Sequence, residues 1–492
     1  MPRQHPNLLF LFTDEQRADT MAAYGNTRIE VPNLNRLSEE SFVFERTYVS
    51  QPVCTPSRAT ILTGLWPHTN GCTGNNIPLP AEVACLPEML LRGDYATGYH
   101  GKWHLGDELY AQHGFDEWVS IEDGYNRYFT EGMDRNKRSD YHHFLIANGF
   151  TPKSGVTFSR GEATRLPEEF GKPAFLAREA SRFIRENRDR PFCLFVNFLE
   201  PHMPFYGPRD DQHPPQEVTL PANFDDPPDE TNPLRTRLIQ RGYYEKGFEG
   251  NPLRTEADWR RMIANYWGLC SLVDAHVGTI LRTLDECALT DETIIVYTSD
   301  HGDMMGSHRL IAKTVMFEEA ARVPLLIRLP GQRAQRHVAE RVSQIDLVPT
   351  LLELTGQPIP GHLEGKSLVP CFEGRDARPL AGDVIIEWNM PRRERAERNP
   401  ASIPAWELDY GSPEQIERAL NDEIRGIVTP DGWKLNWSSV RDHELYNLND
   451  DPYETRNLAR QDEHRDRMRA LTERIRRWQG ETDDALELPE IR

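Results

Sequence analysis

Long hydrophobic runs are missing from this 492-residue chain. No apolar segment approaches the roughly 20 residues that a membrane-spanning helix needs, so we expect no bilayer span. Cysteine is scarce: seven residues (Cys54, Cys72, Cys85, Cys193, Cys270, Cys287 and Cys371), an odd number at irregular spacing. That pattern argues against a disulfide framework and for a reducing, cytoplasmic setting. Positive charge is in deficit, with 57 Lys and Arg against 77 Asp and Glu and a formal net charge of −20. General binding to nucleic acid or to an acidic membrane is thereby disfavoured. An anionic ligand cannot be drawn in by the overall field and must be held by a local cluster of Arg, Lys and His. Met1 to Pro6 lead into an apolar run without a small-residue cleavage site, and they read as the approach to a first strand rather than a signal peptide. Internal repeats and low-complexity tracts are not evident, and composition leaves a homo-oligomer as an open question.

What is present is the composition of a folded protein, 38% hydrophobic and 27% charged. The length suits a large domain over residues 1–372 and a smaller one over 373–492. Three unbroken apolar runs, Asn7 to Phe12, Pro191 to Phe198 and Thr293 to Thr298, are predicted as strands buried on both faces of a sheet. A further strand is expected at Tyr95 to His100 and another at Val323 to Leu329. Helices are expected at Asn33 to Phe42, Leu86 to Leu91, Phe175 to Asn187 and Glu256 to Cys287, and from Gln344 onward. Tyr206 to Asn251, rich in Pro, Asp and Arg, reads as an aperiodic surface excursion. Beyond Phe372 the pattern changes to short strands (Asp383 to Trp388, Ile424 to Thr429, Trp433 to Trp437) and a charged helix from Asp462 to Trp478, as expected for a smaller antiparallel sheet. The insertion Pro391 to Leu420 opens with Arg392-Arg393-Glu394-Arg395, a solvated charge run on the simplest reading and a lid or subunit contact on the other.

Polar residues with chemical potential follow these strands. Asp14 and Glu15 come after the first, Lys102 and His104 after the second, His202 after the third, and Asp300 and His301, with Lys313 close behind, after the fourth. Open α/β sheets bind ligands at the C-terminal ends of their strands. Taken singly, each has a plainer explanation: a helix cap at Asp14 or surface polarity at Lys102 and His104. Gly101 and Gly106 around that Lys-x-His pair suggest close backbone approach. The stretch Cys54-Thr55-Pro56-Ser57-Arg58-Ala59-Thr60-Ile61-Leu62-Thr63-Gly64 is predicted as a helix, with Pro56 in its first turn and Gly64 as its stop. Cys54 then sits at a helix N-terminus and Arg58 one turn further on the same face. A buried structural cysteine and a reactive group beside a fixed cation are both compatible with this segment alone.

Cys-x-Pro-Ser-Arg followed by Ala-x-x-x-x-Gly resembles the signature of the type I sulfatases. The other parts follow in order: the early aspartate, Gly-Lys-x-His, Pro-His-x-Pro, Asp-His-Gly-Asp and a later lysine. The resemblance covers the first two-thirds of the chain. It implies an alkaline phosphatase-like α/β fold: a large domain with a mostly parallel mixed sheet between helices, and a smaller C-terminal α+β domain with an antiparallel sheet. It also implies that Cys54 is converted to Cα-formylglycine by a maturation enzyme that reads the Cys-x-Pro-x-Arg core. The implied activity is hydrolysis of a sulfate monoester, through a covalent sulfo-enzyme intermediate on residue 54. Arg58, Lys102, Lys313 and a metal spread the transferring charge. His202 protonates the leaving alcohol, and His104 assists the second hydroxyl in expelling sulfate. Asp14, residue 54, Asp300 and His301 are the implied metal ligands, with Glu15 as a second-aspartate equivalent that ligates or points away. This hard donor set suits Ca²⁺ first, then Mg²⁺ or Mn²⁺; a thiolate fits poorly among such donors, an independent reason to expect Cys54 to be modified. Asn75 or Asn76 is expected at the sulfate pocket. The rivals are a phosphonate monoester or phosphodiester hydrolase of the same superfamily, whose members carry Tyr and Thr where this chain has Lys102 and His104, and a non-catalytic binding protein with Cys54 unmodified. Aryl, carbohydrate and alkyl sulfates all remain open as substrates.

Overall fold

The computed structural model describes residues 5–90, 93–123, 130–373, 382–390 and 402–491. Eight strands form the larger sheet: β1 (Asn7–Asp14), β2 (Phe42–Tyr48), β3 (Ala96–Gly101), β4 (Glu117–Val119), β5 (Phe192–Pro201), β6 (Thr293–Ser299), β7 (Arg322–Arg328) and β8 (Arg336–Ser343), in the order β4-β3-β5-β1-β6-β7-β2-β8. Pairing is parallel except that β7 runs antiparallel to both its neighbours.

The unbroken apolar run of β1 is explained by its two covers. Leu9 and Leu11 face one core with the helices Lys172–Glu186 and Glu256–Glu286, while Leu8, Phe10 and Phe12 face the other with Ala59, Ile61, Leu62 and Leu351. Side chains alternate along a strand, so a layer on each side leaves no polar face to keep. Each fully buried Leu or Phe contributes roughly 1.5–3 kcal/mol. In consequence, Asp14 and the residues just beyond β3, β5 and β6 emerge at one edge of the sheet.

Four strands, β9 (Val384–Trp388), β10 (Ile424–Val428), β11 (Trp433–Ser438) and β12 (Glu444–Asn447), make a second, antiparallel sheet. One face packs on the helix Arg465–Thr482 through Met468, Leu471 and Ile475. The other face shares a core with Tyr48, Val53, Met316 and Phe317, and Glu387 N donates to Ser50 O at 2.7 Å. The two sheets are thus joined by apolar packing as well as by backbone.

Several elements differ from the sequence reading. Strands β2, β4, β8 and β12 were not expected. Strand β8 is an edge strand of mostly polar residues, and β2 carries a register shift at its charged centre, between Phe44 and Thr47, which breaks the alternation. Within the Tyr206 to Asn251 excursion lies a helix, Leu234–Lys246, whose buried residues are only Thr236 and Leu238. The run Arg392 to Arg395 lies outside the described residues. Among the described residues, no helix is long and apolar enough to cross a membrane.

Candidate active site

The helix Cys54–Thr63 is buried along its whole length, and Gly64 ends it at φ 67°, where a Cβ would come within 3.0 Å of Val348. Its first turn is tied down from outside. Thr55 N donates to Asn75 Oδ1 at 3.1 Å, and Ser57 Oγ donates to Gln344 Oε1 at 2.8 Å and to Asp300 O. The sequence expectation of a helix that presents Cys54 at its start therefore holds.

Cys54 Sγ lies 3.2 Å from His301 Nε2, 3.7 Å from Asp14 Oδ1 and 3.9 Å from Lys102 Nζ. His301 Nε2 is also 3.8 Å from Asp14 Oδ1 and 3.6 Å from Asp300 Oδ1. Two carboxylates, an imidazole and residue 54 thus close around one point. Arg58 lies beneath them, completely buried. Its Nε bonds Asp300 Oδ2 at 2.8 Å, its Nη2 bonds Asp14 Oδ2 at 2.7 Å, and its Nη1 reaches Lys102 O and Asn197 Oδ1. Lys102 Nζ also contacts Asp14 Oδ2. The Oδ2 atoms are held by cations, which leaves each Oδ1 turned toward residue 54 and His301. Arg58 thereby faces the acids rather than the open side of the site.

Glu15 belongs to a neighbouring group. Its Oε2 pairs with Lys313 Nζ at 2.8 Å and lies 3.6 Å from His202 Nε2, while Asp14 Oδ1 is 3.9 Å from the same nitrogen. Glu15 Oε1, which no protein group bonds, stands against Asp303, and the like charge favours a proton on one of the two carboxyls. His202 Nδ1 contacts Met203 O at 2.9 Å, and Arg160 Nη1 lies 3.5 Å from it. His104 sits at φ 60°, with its Nε2 at 3.0 Å from Asn76 Oδ1 and its backbone N–H on Glu108. Gly101 has φ 120°, and a Cβ there would fall 1.9 Å from Asn197 O, which is the close approach expected at this turn. Of the ten residues singled out from sequence, His104, His202 and Lys313 keep the most exposed surface, 6%, 7% and 7%, and these three mark the mouth.

Charge states follow from these neighbours. Burial opposes ionisation of Asp14, but Lys102, His202, Arg58 and Lys313 together hold its carboxyl well below the usual range. Glu15 is pushed up to about 8 by burial and by Asp303, against the pull of Lys313. Burial also lowers His301, yet Asp300 and Cys54 win and raise it to about 9. His104 and His202 are held well below the ordinary imidazole value, first by burial and then by the surrounding cations.

All ten residues singled out from sequence lie in these two adjoining groups. Sequence reading missed Asn197, Asp303 and Arg160. Asn197 had a usable signal, a lone polar residue inside the apolar run of β5. Asp303 stood in the quoted Asp-His-Gly-Asp motif without a role. Arg160, held by Glu122 at 2.7 and 2.6 Å with Lys172 on the same carboxylate, had none.

The family model described as Sulfatase matches residues 6–357. The chain is 26% identical over 543 residues to an N-acetylglucosamine-6-O-sulfatase of Bacteroides thetaiotaomicron, covering 98% of this chain and 87% of the relative. It is 29% identical over 470 residues to a choline-sulfatase of Rhizobium meliloti, covering 92% and 82%. Among solved structures, a phosphonate monoester hydrolase from Silicibacter pomeroyi superposes with a TM-score of 0.78 at 22% identity, covering 98% of this chain and 96% of that one. That similarity bears on the fold, and the alkaline phosphatase-like expectation holds. The chain belongs to the sulfatase family and is a sulfuric ester hydrolase.

Proposed function

We propose that the chain hydrolyses a sulfate monoester, with a sulfated carbohydrate as the first class to test, by a covalent route through formylglycine made from Cys54. The observation that carries this reading is the convergence of Asp14, residue 54, Asp300 and His301 beneath a mouth formed by His104, His202 and Lys313. Residues 1–372 are read as the catalytic domain and 373–492 as a smaller one beside it.

The donor set fits a divalent cation. Asp14 Oδ1 and Asp300 Oδ1 lie 3.8 and 3.6 Å from His301 Nε2, the two carboxylates are fixed from behind by Arg58, and hard oxygen donors predominate. Ca²⁺ is the preferred ion, with Mg²⁺ or Mn²⁺ as alternatives. Bound there, it would supply Lewis-acid polarisation of a sulfate oxygen. A thiol at residue 54 is the odd member of this set, and an aldehyde hydrate would replace it with oxygen.

Lys102 and Lys313 flank the space above residue 54 and would neutralise the sulfate oxygens as charge shifts onto the leaving group. An incoming sulfate adds negative charge beside His202, which raises the proton affinity of an imidazole otherwise kept neutral. His202 would then give its proton to the departing alcohol. His104, positioned by Asn76, would take the proton from the remaining hydroxyl at residue 54. Arg58 acts through Asp14 and Asp300, as a positioning residue.

The test is a panel of sulfated sugars and nitrophenyl sulfate set against a nitrophenyl phosphonate. Preference for sulfate esters supports the proposal, and strong preference for the phosphonate would replace it with the reading that the phosphonate hydrolase fold similarity favours.

A further inference from the structure

Away from the active site, Cys85, Glu88 and His113 bring one ligand atom each to within 4.8 Å of one another. We propose that they form a second metal site, of borderline-soft character and suited to Zn²⁺. The donors are a thiol, an imidazole and a carboxylate, a combination that zinc accepts and that calcium or magnesium does not favour.

Three observations carry the proposal. The His113 side chain is 95% buried, since 5% of it is exposed, and its Nδ1 has no hydrogen-bond partner. Glu88 Oε2 stands 3.6 Å from that nitrogen. Tetrahedral zinc with bonds of about 2.1 Å spaces two such ligands about 3.4 Å apart, so this pair already stands near the required separation. Glu88 is itself oriented, because its Oε2 accepts from Cys85 N at 2.9 Å.

The backbone is shaped for the cluster. His113 adopts φ 51°, and at Gly114 (φ 79°) a Cβ would lie 2.6 Å from Glu88 Cγ. A side chain at residue 114 would therefore displace Glu88. Cys85 is buried, and burial, Glu88 and nearby Cys72 raise its thiol well above the usual range. Zinc would displace that proton and compensate both the thiolate and the carboxylate. Glu88, with one-third of its side chain exposed, provides the entry path. The His113 ring packs 5.7 Å from Trp103, between Lys102 and His104 in sequence, so an ion here would stiffen the turn that carries both.

The experiment is Co²⁺ titration of the full chain, followed through thiolate-to-metal charge-transfer absorbance, with Zn²⁺ as competitor. It is run on the parent, Cys54→Ala, Cys85→Ser and His113→Gln. The expected result is one zinc-displaceable thiolate band in Cys54→Ala, at least that band in the parent, its loss in Cys85→Ser, and at least tenfold weaker binding in His113→Gln. Should Cys85→Ser fail to fold, His113→Gln decides, since it leaves both thiols in place. No band in Cys54→Ala, or a band that survives unchanged in Cys85→Ser or His113→Gln, would overturn the proposal.

Discussion

Cys54 and Cys85 are equally buried, and each has a carboxylate and an imidazole within reach. Around Cys54 stand Lys102, Arg58 and Lys313 with two aspartates, a setting that fixes hard oxygen ligands and balances their charge. Around Cys85 stand Glu88, His113 and a second thiol, and among the described residues the imidazole is the group paired with the acid. The difference teaches that burial does not decide what a cysteine does. Its neighbours decide, and only the first set is arranged to receive an anion.

The sharpest way to break this comparison is to remove each thiol in turn. Cys54→Ala is expected to abolish turnover of nitrophenyl sulfate, whereas Cys85→Ala retains most of it; equal losses in a steady-state assay would erase the distinction. Next in size is His202→Gln. General-acid assistance contributes about 10²–10⁴-fold, so kcat/KM should fall by about that range for sugar sulfates, whose alcohols leave poorly, and far less for nitrophenyl sulfate. A uniform loss across leaving groups would remove His202 from proton donation.

Arg58→Met tests the buried charges rather than the chemistry. Breaking a buried ion pair by deleting one partner costs about 3–5 kcal/mol, and Arg58 serves two acids. Denaturant unfolding should show a loss of that order, and an unchanged midpoint would mean that Asp14 and Asp300 need no guanidinium. The smallest effect concerns pH. In the metal-free chain, His301 is raised from 6.5 to about 9, so its stabilisation is complete below 6.5 and is lost as pH rises through 9. Glu15, raised from 4.5 to about 8, adds a loss of the same sign between those values. His104 and His202, both depressed, oppose this loss only up to about their unfolded value of 6.5, so with chelator present Tm should decline from about pH 7 to 9, and added Ca²⁺ should restore most at the alkaline end, where the ligands are deprotonated. A Ca²⁺ gain that is largest at pH 6 would contradict the ligand assignment.

Much of this was legible in the sequence where burial leaves one pattern. Strands β1, β5 and β6 are apolar on both faces, so their ends, and with them Asp14, His202 and Asp300, could be placed on one sheet edge. Gly101 announced a close approach that Asn197 O supplies. Edge strand β8 and the helix Leu234–Lys246 bury too little for any periodicity to show. Arg160 reaches His202 only because a distant acid, Glu122, turns its guanidinium, and no local pattern encodes such a pairing.

The most direct test of the central claim, that the surroundings of Cys54 require oxygen at this position, is peptide mass spectrometry after alkylation of enzyme purified with its maturation machinery and shown to be active. The expected result is an aldehyde at residue 54 that resists alkylation, beside an alkylated thiol at Cys85. Full alkylation of Cys54 in an active preparation would contradict it.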